Sequence, residues 1–405
     1  MITDRPLRFC MITTFYPPYN FGGDGIFVQR LANELAQRGH HVTVIHSIDA
    51  FRLQARHHTT PKYEDHPNVT VHGLASSSSL LSSLVTQQTG VPVMYAARIQ
   101  GILQQGFDII NYHNASLVGG AAVLKYGQGI KLYTIHEYWL VCQTHVLFRY
   151  NREACTKPTC LQCSLVYRRP PQWWRYGSLL QNAIKHVNVF IAPSRFCRDA
   201  HQQRGFDAPM MHLPCFVPPA ELAPSNKTTA PYFLFVGRLA KLKGLQTIIP
   251  LFRDYSKAKL MIAGTGDYED HLRELAQGSD NIQFLGRVTG AELRPLYRNA
   301  VALVVPSLCY EAFPMVVPEA FQQQTPVIAR NLGAMPEMVE DSGGGLVYNG
   351  DAELIAGMEQ LVGNPGYRHE LGMRGYDAYQ KNWTTETHLQ NYFAVIDQIA
   401  TKRSK

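Results

Sequence analysis

The sequence predicts an α/β protein made of two doubly wound, mainly parallel sheets, each a Rossmann-like unit, facing a central cleft. Three observations carry that expectation. A chain of 405 residues is longer than one ordinary core organises. Strand-like runs alternate with stretches of helical length in both halves, the order that builds parallel sheets. Between the halves, residues 216–231, "FVPPAELAPSNKTTAP", are rich in Pro, Ala, Ser and Thr and read as a linker.

The elements follow in order. "RFCMITTF" (8–15) reads as a short buried strand. A helix comes next, because Ile26, Val28, Leu31, Leu35 and Ala36 fall on one face and Gly39 stands at its end. "HVTVIHS" (41–47), "NVTVHGL" (68–74), "FDIINYH" (107–113), "KLYTIH" (131–136) and "VNVFIAP" (187–193) are the further strands of the first half. The pattern restarts with "YFLFVGR" (232–238), "AKLMIAGTG" (258–266), "IQFLGRV" (282–288), "VALVVPS" (301–307) and "PVIAR" (326–330). Residues 383–399 read as a closing helix. The expected units are 1–217, 218–380 and a tail 381–405, with a cysteine-rich insertion at about 140–178 in the first unit. The halves share architecture without short tandem repeats.

A hydrophobic content of 45% and a charged content of 17% indicate a globular chain rather than a disordered one. No apolar run approaches the ~20 residues of a membrane-spanning helix. The N-terminus carries Asp4 and lacks a signal-peptide pattern, so the expected location is cytoplasmic, with peripheral contact at the inner face of the membrane. The formal charge of +7 favours anionic partners, but the basic residues are scattered and no nucleic-acid partner is expected. Residues 168–176, "RRPPQWWRY", are the exception. Arginines beside paired tryptophans read either as a contact to lipid headgroups or an acceptor, or as cover for a domain flank.

The chemistry concentrates in residues 310–321, "YEAFPMVVPEAF", where Glu311 and Glu319 stand eight residues apart. Glu311 follows the strand "VALVVPS" and so lies in a loop at a carboxyl edge, where ligands of such sheets sit. Pro318 suits the first turn of a helix, so a helix is expected from near Met315 to before Thr325. Its first amides, at Met315, Val316 and Val317, would point outward and suit a phosphate. The two carboxylates would then accept hydroxyls on either side, as a diphosphate between hexose and ribose requires. "FVGRLAKLKGL" (235–245) places Arg238 and Lys243 at another carboxyl edge, two cations for that diphosphate. "FGGDGIFVQ" (21–29) supplies Gly22, Gly23 and Gly25 between the first strand and first helix, where backbone can approach a phosphate.

Together these motifs resemble the retaining glycosyltransferases of family 4, whose fold is GT-B. The likeness covers nearly the whole chain and rests on "GGDGIFVQRLANELAQRGHHVTV", "VGRLAKLKG", "IAGTGDYEDHL", "IQFLGRV", "PSLCYEAFPMVVPEAFQQQTPVIA" and the closing helix. The resemblance implies transfer of a hexosyl group, with retention, from a nucleotide-diphosphate sugar to a hydroxyl acceptor. UDP is the favoured nucleotide and GDP the second. The acceptor is a saccharide, a lipid-linked glycan or a small molecule, by analogy in polysaccharide biosynthesis. It also implies roles: Glu311 on the donor hexose, Glu319 on the ribose, and Arg238 and Lys243 on the diphosphate. Phe313, Pro314, Met315 and Val316 form the loop meeting sugar and phosphate, Gly23 meets the donor from the first unit, and His136 lies by the reacting carbon. Gly264, Gly266, Arg287 and Val288 lie beside the nucleoside. No catalytic metal is expected, since the cations and helix amides take that place. The chain departs from the family pattern at Pro214-Cys215-Phe216, where relatives carry Pro-Asn-Gly, and at Ala312, where they carry Gly. A nucleotide-sugar epimerase on the same scaffold and a non-catalytic membrane-surface binding protein are the alternatives.

Cys142, Cys155, Cys160 and Cys163 crowd into one stretch, the last three spaced C-x4-C-x2-C. Four thiolates suit tetrahedral zinc, and His145 is an alternative ligand. A structural zinc ranks ahead of free or disulfide-bonded cysteines, and these ahead of an iron–sulfur cluster, whose plant-type spacing is similar. Because the insertion follows His136, it is expected to border the acceptor side of the cleft.

Overall fold

The computed structural model describes residues 2–54, 63–225 and 230–403. The first sheet contains β1 (Arg8–Ile12), β2 (His41–Ser47), β3 (Val69–Leu74), β4 (Ile109–Tyr112) and β5 (Ile130–Thr134). A two-stranded antiparallel hairpin, β6 (Phe148–Arg149) and β7 (Glu153–Ala154), interrupts the order before β8 (Val189–Ala192) and β9 (Met210–His212) complete it. The seven-stranded order is β3-β2-β1-β4-β5-β8-β9, parallel throughout. The second sheet is β10 (Tyr232–Val236), β11 (Lys259–Ala263), β12 (Ile282–Gly286), β13 (Ala302–Val305), β14 (Val327–Arg330) and β15 (Gly345–Tyr348). Its order, β12-β11-β10-β13-β14-β15, is also parallel.

Each sheet is covered on both faces, which explains why its strands read as apolar runs rather than alternating ones. Two buried clusters flank the first sheet and two flank the second. The helix Gly23–Gln37 shows how local sequence feeds this packing. Phe27, Leu31 and Leu35 are buried at i, i+4 and i+8, with Val28, Ala32 and Ala36 beside them. Gly39 then turns the chain at φ 87°, in the left-handed region. The strands absent from the sequence reading are the short ones: β6, β7, β9 and β15, of two to four residues. β6, β7 and β9 are too brief to show a period, and β15 opens on Gly345 outside any longer apolar run, unlike the other four-residue strands.

The linker-like segment runs beside the second unit, and its residues 226–229 lie outside the described residues. The helix Thr385–Arg403 packs on the first sheet: Leu389, Tyr392, Val395 and Ile396 join the cluster containing Phe9 and Val44. Asn111 donates to the Tyr392 hydroxyl at 3.0 Å, and the Thr3 hydroxyl to Asp397 at 2.6 Å. Among the described residues no helix is long and apolar enough to cross a membrane.

Strand order reverses between β1 and β4 in one sheet and between β10 and β13 in the other. Such switch points open crevices at the carboxyl edge. Here both crevices face one interdomain cleft of about 840 Å³.

Candidate active site

The loop after β13 holds a cluster of charges beside Arg238, although Lys243, Ser307 and Glu311 are not themselves among the residues that line the cleft. Glu311 Oε1 accepts a hydrogen bond from Lys243 Nζ at 2.7 Å and another from Ser307 Oγ at 2.7 Å. Lys243 is delivered by a 3₁₀ turn, Lys241–Lys243, that follows β10. Burial works to raise the Glu311 carboxyl, but the Lys243 ammonium, Ser307 and Arg238 outweigh it and hold it below its usual value. Burial pulls the Lys243 ammonium down, and the Glu311 carboxylate more than restores it. The pair stays ionised in a mostly dry place. The first unit grips the same loop by its backbone. Ser194 Oγ donates to the Ala312 carbonyl at 2.7 Å and Tyr138 Oη to the Glu311 carbonyl at 3.4 Å.

Glu319 has a different setting. It lies in the first turn of the helix Val316–Gln322, and its partners are Arg30 of the first unit, Nη2 at 3.5 Å, and the Tyr297 hydroxyl at 3.2 Å. Burial dominates, and its carboxyl is raised despite Arg30. One correction concerns the amides ahead of it. Val317 N–H does not point free into the cleft but donates to the Pro314 carbonyl at 2.9 Å, because the chain turns tightly at Pro314 before the helix begins. Met315 caps that helix and faces Gly23, where an added Cβ would sit 3.7 Å from the Met315 side chain. Phe313 packs into cores of both units and lines a second interdomain cavity, of about 460 Å³.

Arg238 is exposed and lines the cleft with Gly22, Gly264, Gly266, Arg287 and Val288. The glycines are steric necessities: a Cβ at Gly264 would run into the Gly237 carbonyl, and one at Gly266 into the Leu239 carbonyl. The loops after β10 and β11 are laced together, Leu239 N–H donating to the Thr265 carbonyl at 3.0 Å.

His136 stands apart from the carboxylates. Its Nε2 meets His113 Nδ1 at 3.0 Å, and its ring lies 5.1 Å from Phe27 and 5.3 Å from His113. Burial and the neighbouring His388 push it down to about 3, so it is a neutral ring at ordinary pH.

Comparison with known proteins fits this arrangement. The glycosyltransferase family 4 model matches residues 21–221, and the model for glycosyl transferases group 1 matches residues 220–378. The chain belongs to the family 4 glycosyltransferases. It is 35% identical over 157 residues to an uncharacterised glycosyltransferase of Methanocaldococcus jannaschii, covering 36% of this chain and 40% of that one. It is 22% identical over 411 residues to an alpha-maltose-1-phosphate synthase of Mycolicibacterium smegmatis, covering 91% and 93%. The first curated relatives are matched over only about two-fifths of their length. Among solved structures, a sucrose-phosphate synthase from Thermosynechococcus elongatus aligns with a TM-score of 0.77 at 19% identity, covering 98% of this chain and 100% of that one. HepE from Anabaena in complex with UDP aligns with a TM-score of 0.67 at 16% identity, covering 97% and 100%. These likenesses establish the GT-B fold of this family 4 chain.

The insertion of the family 4 chain borders the cleft directly: Thr144, Asn151, Tyr167 and Arg169 line it. Inside the insertion, Cys142, Cys155, Cys160 and Cys163 all line one small cavity of about 20 Å³, room for one water-sized sphere. All four are free thiols. Among the described residues no group of three or more His, Cys, Asp or Glu is arranged to hold a metal ion. His145 is not among the cavity residues: its Nδ1 meets Glu137 Oε2 at 2.9 Å, because a positive φ of 74° turns it away.

Several residues of the site were not singled out from sequence. Ser307 was visible as the strand's last residue, four before Glu311. Arg30, Tyr138, Ser194 and Tyr297 carried no local signal, since each reaches its partner from a distant segment. Asp24 and Glu137 sat in view within "GGDG" and "HEYW". Asp24 accepts from Asn114 at 3.4 Å, and burial, then the Glu137 charge, raises its carboxyl.

Proposed function

We propose that the chain transfers a hexosyl group, with retention, from a UDP-sugar to a hydroxyl acceptor in glycan assembly, with a GDP-sugar as the second choice of donor. The observation that carries this reading is the Lys243–Glu311–Ser307 cluster at a carboxyl-edge switch point, next to Arg238, which lines the cleft with Gly22 of the first unit. In this reading Glu311 accepts hexose hydroxyls and Glu319 accepts ribose hydroxyls. Arg238 and Lys243 carry the charge that gathers on the leaving diphosphate. Gly23, Pro314, Met315 and Val316 let backbone meet the phosphates, Phe313 supports that loop, and Gly264, Gly266, Arg287 and Val288 receive the nucleoside. His136, neutral, donates or accepts a hydrogen bond near the reacting carbon. The leaving phosphate takes the acceptor proton as the oxocarbenium-like centre forms, so the protein supplies positioning and fixed charge rather than a covalent nucleophile, and no catalytic metal. The acceptor is a saccharide, a lipid-linked glycan or a small molecule. A UDP-bound structural relative supports uridine as the base.

The cysteine set belongs to the same proposal as a structural zinc site that stiffens the insertion, ahead of an iron–sulfur cluster. Its support is four thiols on one cavity. Metal analysis of the purified protein tests it: about one zinc per chain is expected, and a metal-free, active protein with four titratable thiols refutes it.

Calorimetry against UDP, GDP and their hexose conjugates tests the function. One nucleotide should bind, and Glu319→Ala should weaken it. Binding of none of them ends the transferase reading. Proton NMR of the product anomer tests retention.

A further inference from the structure

Around the insertion, three neighbouring elements hold large apolar side chains out into solvent. In the 3₁₀ turn Trp173–Tyr176, the first and last residues share a face, with ring centroids 6.0 Å apart, and are 61% and 62% exposed. In the helix Cys160–Val166, Leu161 and Leu165 stand at i, i+4, exposed while Cys163 and Ser164 face inward. In the helix Ser79–Thr89, Leu80 and Leu84 repeat that spacing, exposed while Ser82, Ser83 and Thr86 are buried.

These are not loose ends. Trp174 Nε1 donates to the Gln87 carbonyl at 2.9 Å, and the Arg175 guanidinium lies over its ring at 4.7 Å while donating to the Trp139 carbonyl at 2.6 Å. Trp174 and Arg175 therefore anchor the segment and fix Trp173 and Tyr176 outward. Gln143 ties the elements together, accepting from Ser164 at 3.0 Å and reaching Tyr176 at 3.4 Å.

The charge around this face is mostly basic, with Glu153 of the adjoining hairpin paired to Arg149. Neither residues 66–107 nor residues 154–198, the segments that build it, contain a single Asp or Glu. Within them Lys157, Arg168 and Arg169 are exposed. A second copy of the chain would bring two such predominantly basic faces together, which is not self-complementary. A bilayer with anionic headgroups is complementary on both counts. It takes Leu and the rings of Trp and Tyr at the headgroup boundary and pairs the basic side chains with phosphate.

We propose that this face docks the protein on anionic lipid bilayers. Tyr167 and Arg169 of the same segment line the cleft, so docking brings the acceptor side of the cleft to the membrane surface.

Co-sedimentation tests the proposal, with vesicles of phosphatidylcholine alone and of phosphatidylcholine with one-third phosphatidylglycerol. The full chain should bind the anionic vesicles and not the neutral ones, more weakly at raised salt. The double variants Trp173→Ser/Tyr176→Ser and Leu161→Ser/Leu165→Ser should each weaken binding roughly tenfold or more. Ile355→Ser, an exposed apolar residue of the second unit, should leave it unchanged. UDP binding measured on the same preparations reports the fold and the donor site separately, so loss of docking and loss of the transferase reading are distinguishable. Absence of binding to anionic vesicles overturns the proposal. So does binding that the patch variants leave untouched, or self-association in solution that those variants abolish.

Discussion

Glu311 and Glu319 share a loop-and-helix segment, yet they live in opposite surroundings. Glu311 is held within its own unit, by Lys243 and Ser307, and its carboxyl is lowered. Glu319 reaches across to Arg30 of the first unit, and its carboxyl is raised. The first arrangement exists whenever the second unit is folded; the second also needs the two units together. The seam adds further contacts of that conditional kind. Glu337 accepts the backbone N–H groups of Arg195 and Phe196 at 2.9 Å each, at the start of the helix Arg195–Gln202. Within the first unit, ring contacts tie in the closing helix: Phe27 lies 5.3 Å from Phe216, and Phe216 4.8 Å from His388.

The comparison breaks most strongly at Glu311. Glu311→Gln leaves a buried ammonium without its counter-charge, so turnover should fall about a thousandfold and stability by about 3 kcal/mol, read by radiolabelled transfer and urea unfolding. Glu319→Ala should weaken nucleotide binding about a hundredfold by calorimetry. Glu319→Gln should leave stability at pH 7 within about 0.5 kcal/mol, because the charged form is already disfavoured in the fold. A stability loss equal to that of Glu311→Gln would erase the distinction between the two carboxylates.

Acid should attack the first unit's packing on the closing helix before the loop. His388 is lowered to about 4 and His113 well below its usual value, each by burial first. A ring whose folded value is depressed binds its proton more readily when unfolded. Its contribution is therefore intact above the unfolded value of about 6.5 and is lost as pH falls from there toward the folded value. Between pH 7 and pH 5 the His388 ring alone should lower stability by on the order of 2 kcal/mol, and His113 acts in the same direction. Glu311, lowered, stays ionised across that window. His388→Gln should reduce the slope in unfolding measured at the two pH values. The smallest effect belongs to the backbone grip on the loop: Tyr138→Phe or Ser194→Ala should lower turnover about fivefold with nucleotide affinity unchanged.

Much of the fold was legible because parallel strands buried on both faces leave long apolar runs, and the longer strands begin within one or two residues of their expected starts. β9 and β15 escaped because neither sits in a longer apolar run, as the equally short β4, β8, β13 and β14 do. The candidate site divides in the same way. Lys243 and Glu311 were visible because each follows a readable strand at a carboxyl edge. Arg30, Tyr138 and Ser194 were not, since an element's own pattern says which face it buries but not which distant carbonyl or carboxylate it will meet.

By itself, then, the sequence determined two parallel sheets, their carboxyl-edge loops, the pair of glutamates with their cations, and a four-cysteine insertion. These are consequences of local periodicity and turn chemistry. Only the tertiary structure decided that Lys243 neutralises Glu311 while Glu319 turns to the opposite unit. It also decided that His136 packs against His113 and Phe27, and that all four thiols face one cavity. The reason is physical: burial and the partner charge set each group's state, and both come from segments tens to hundreds of residues away.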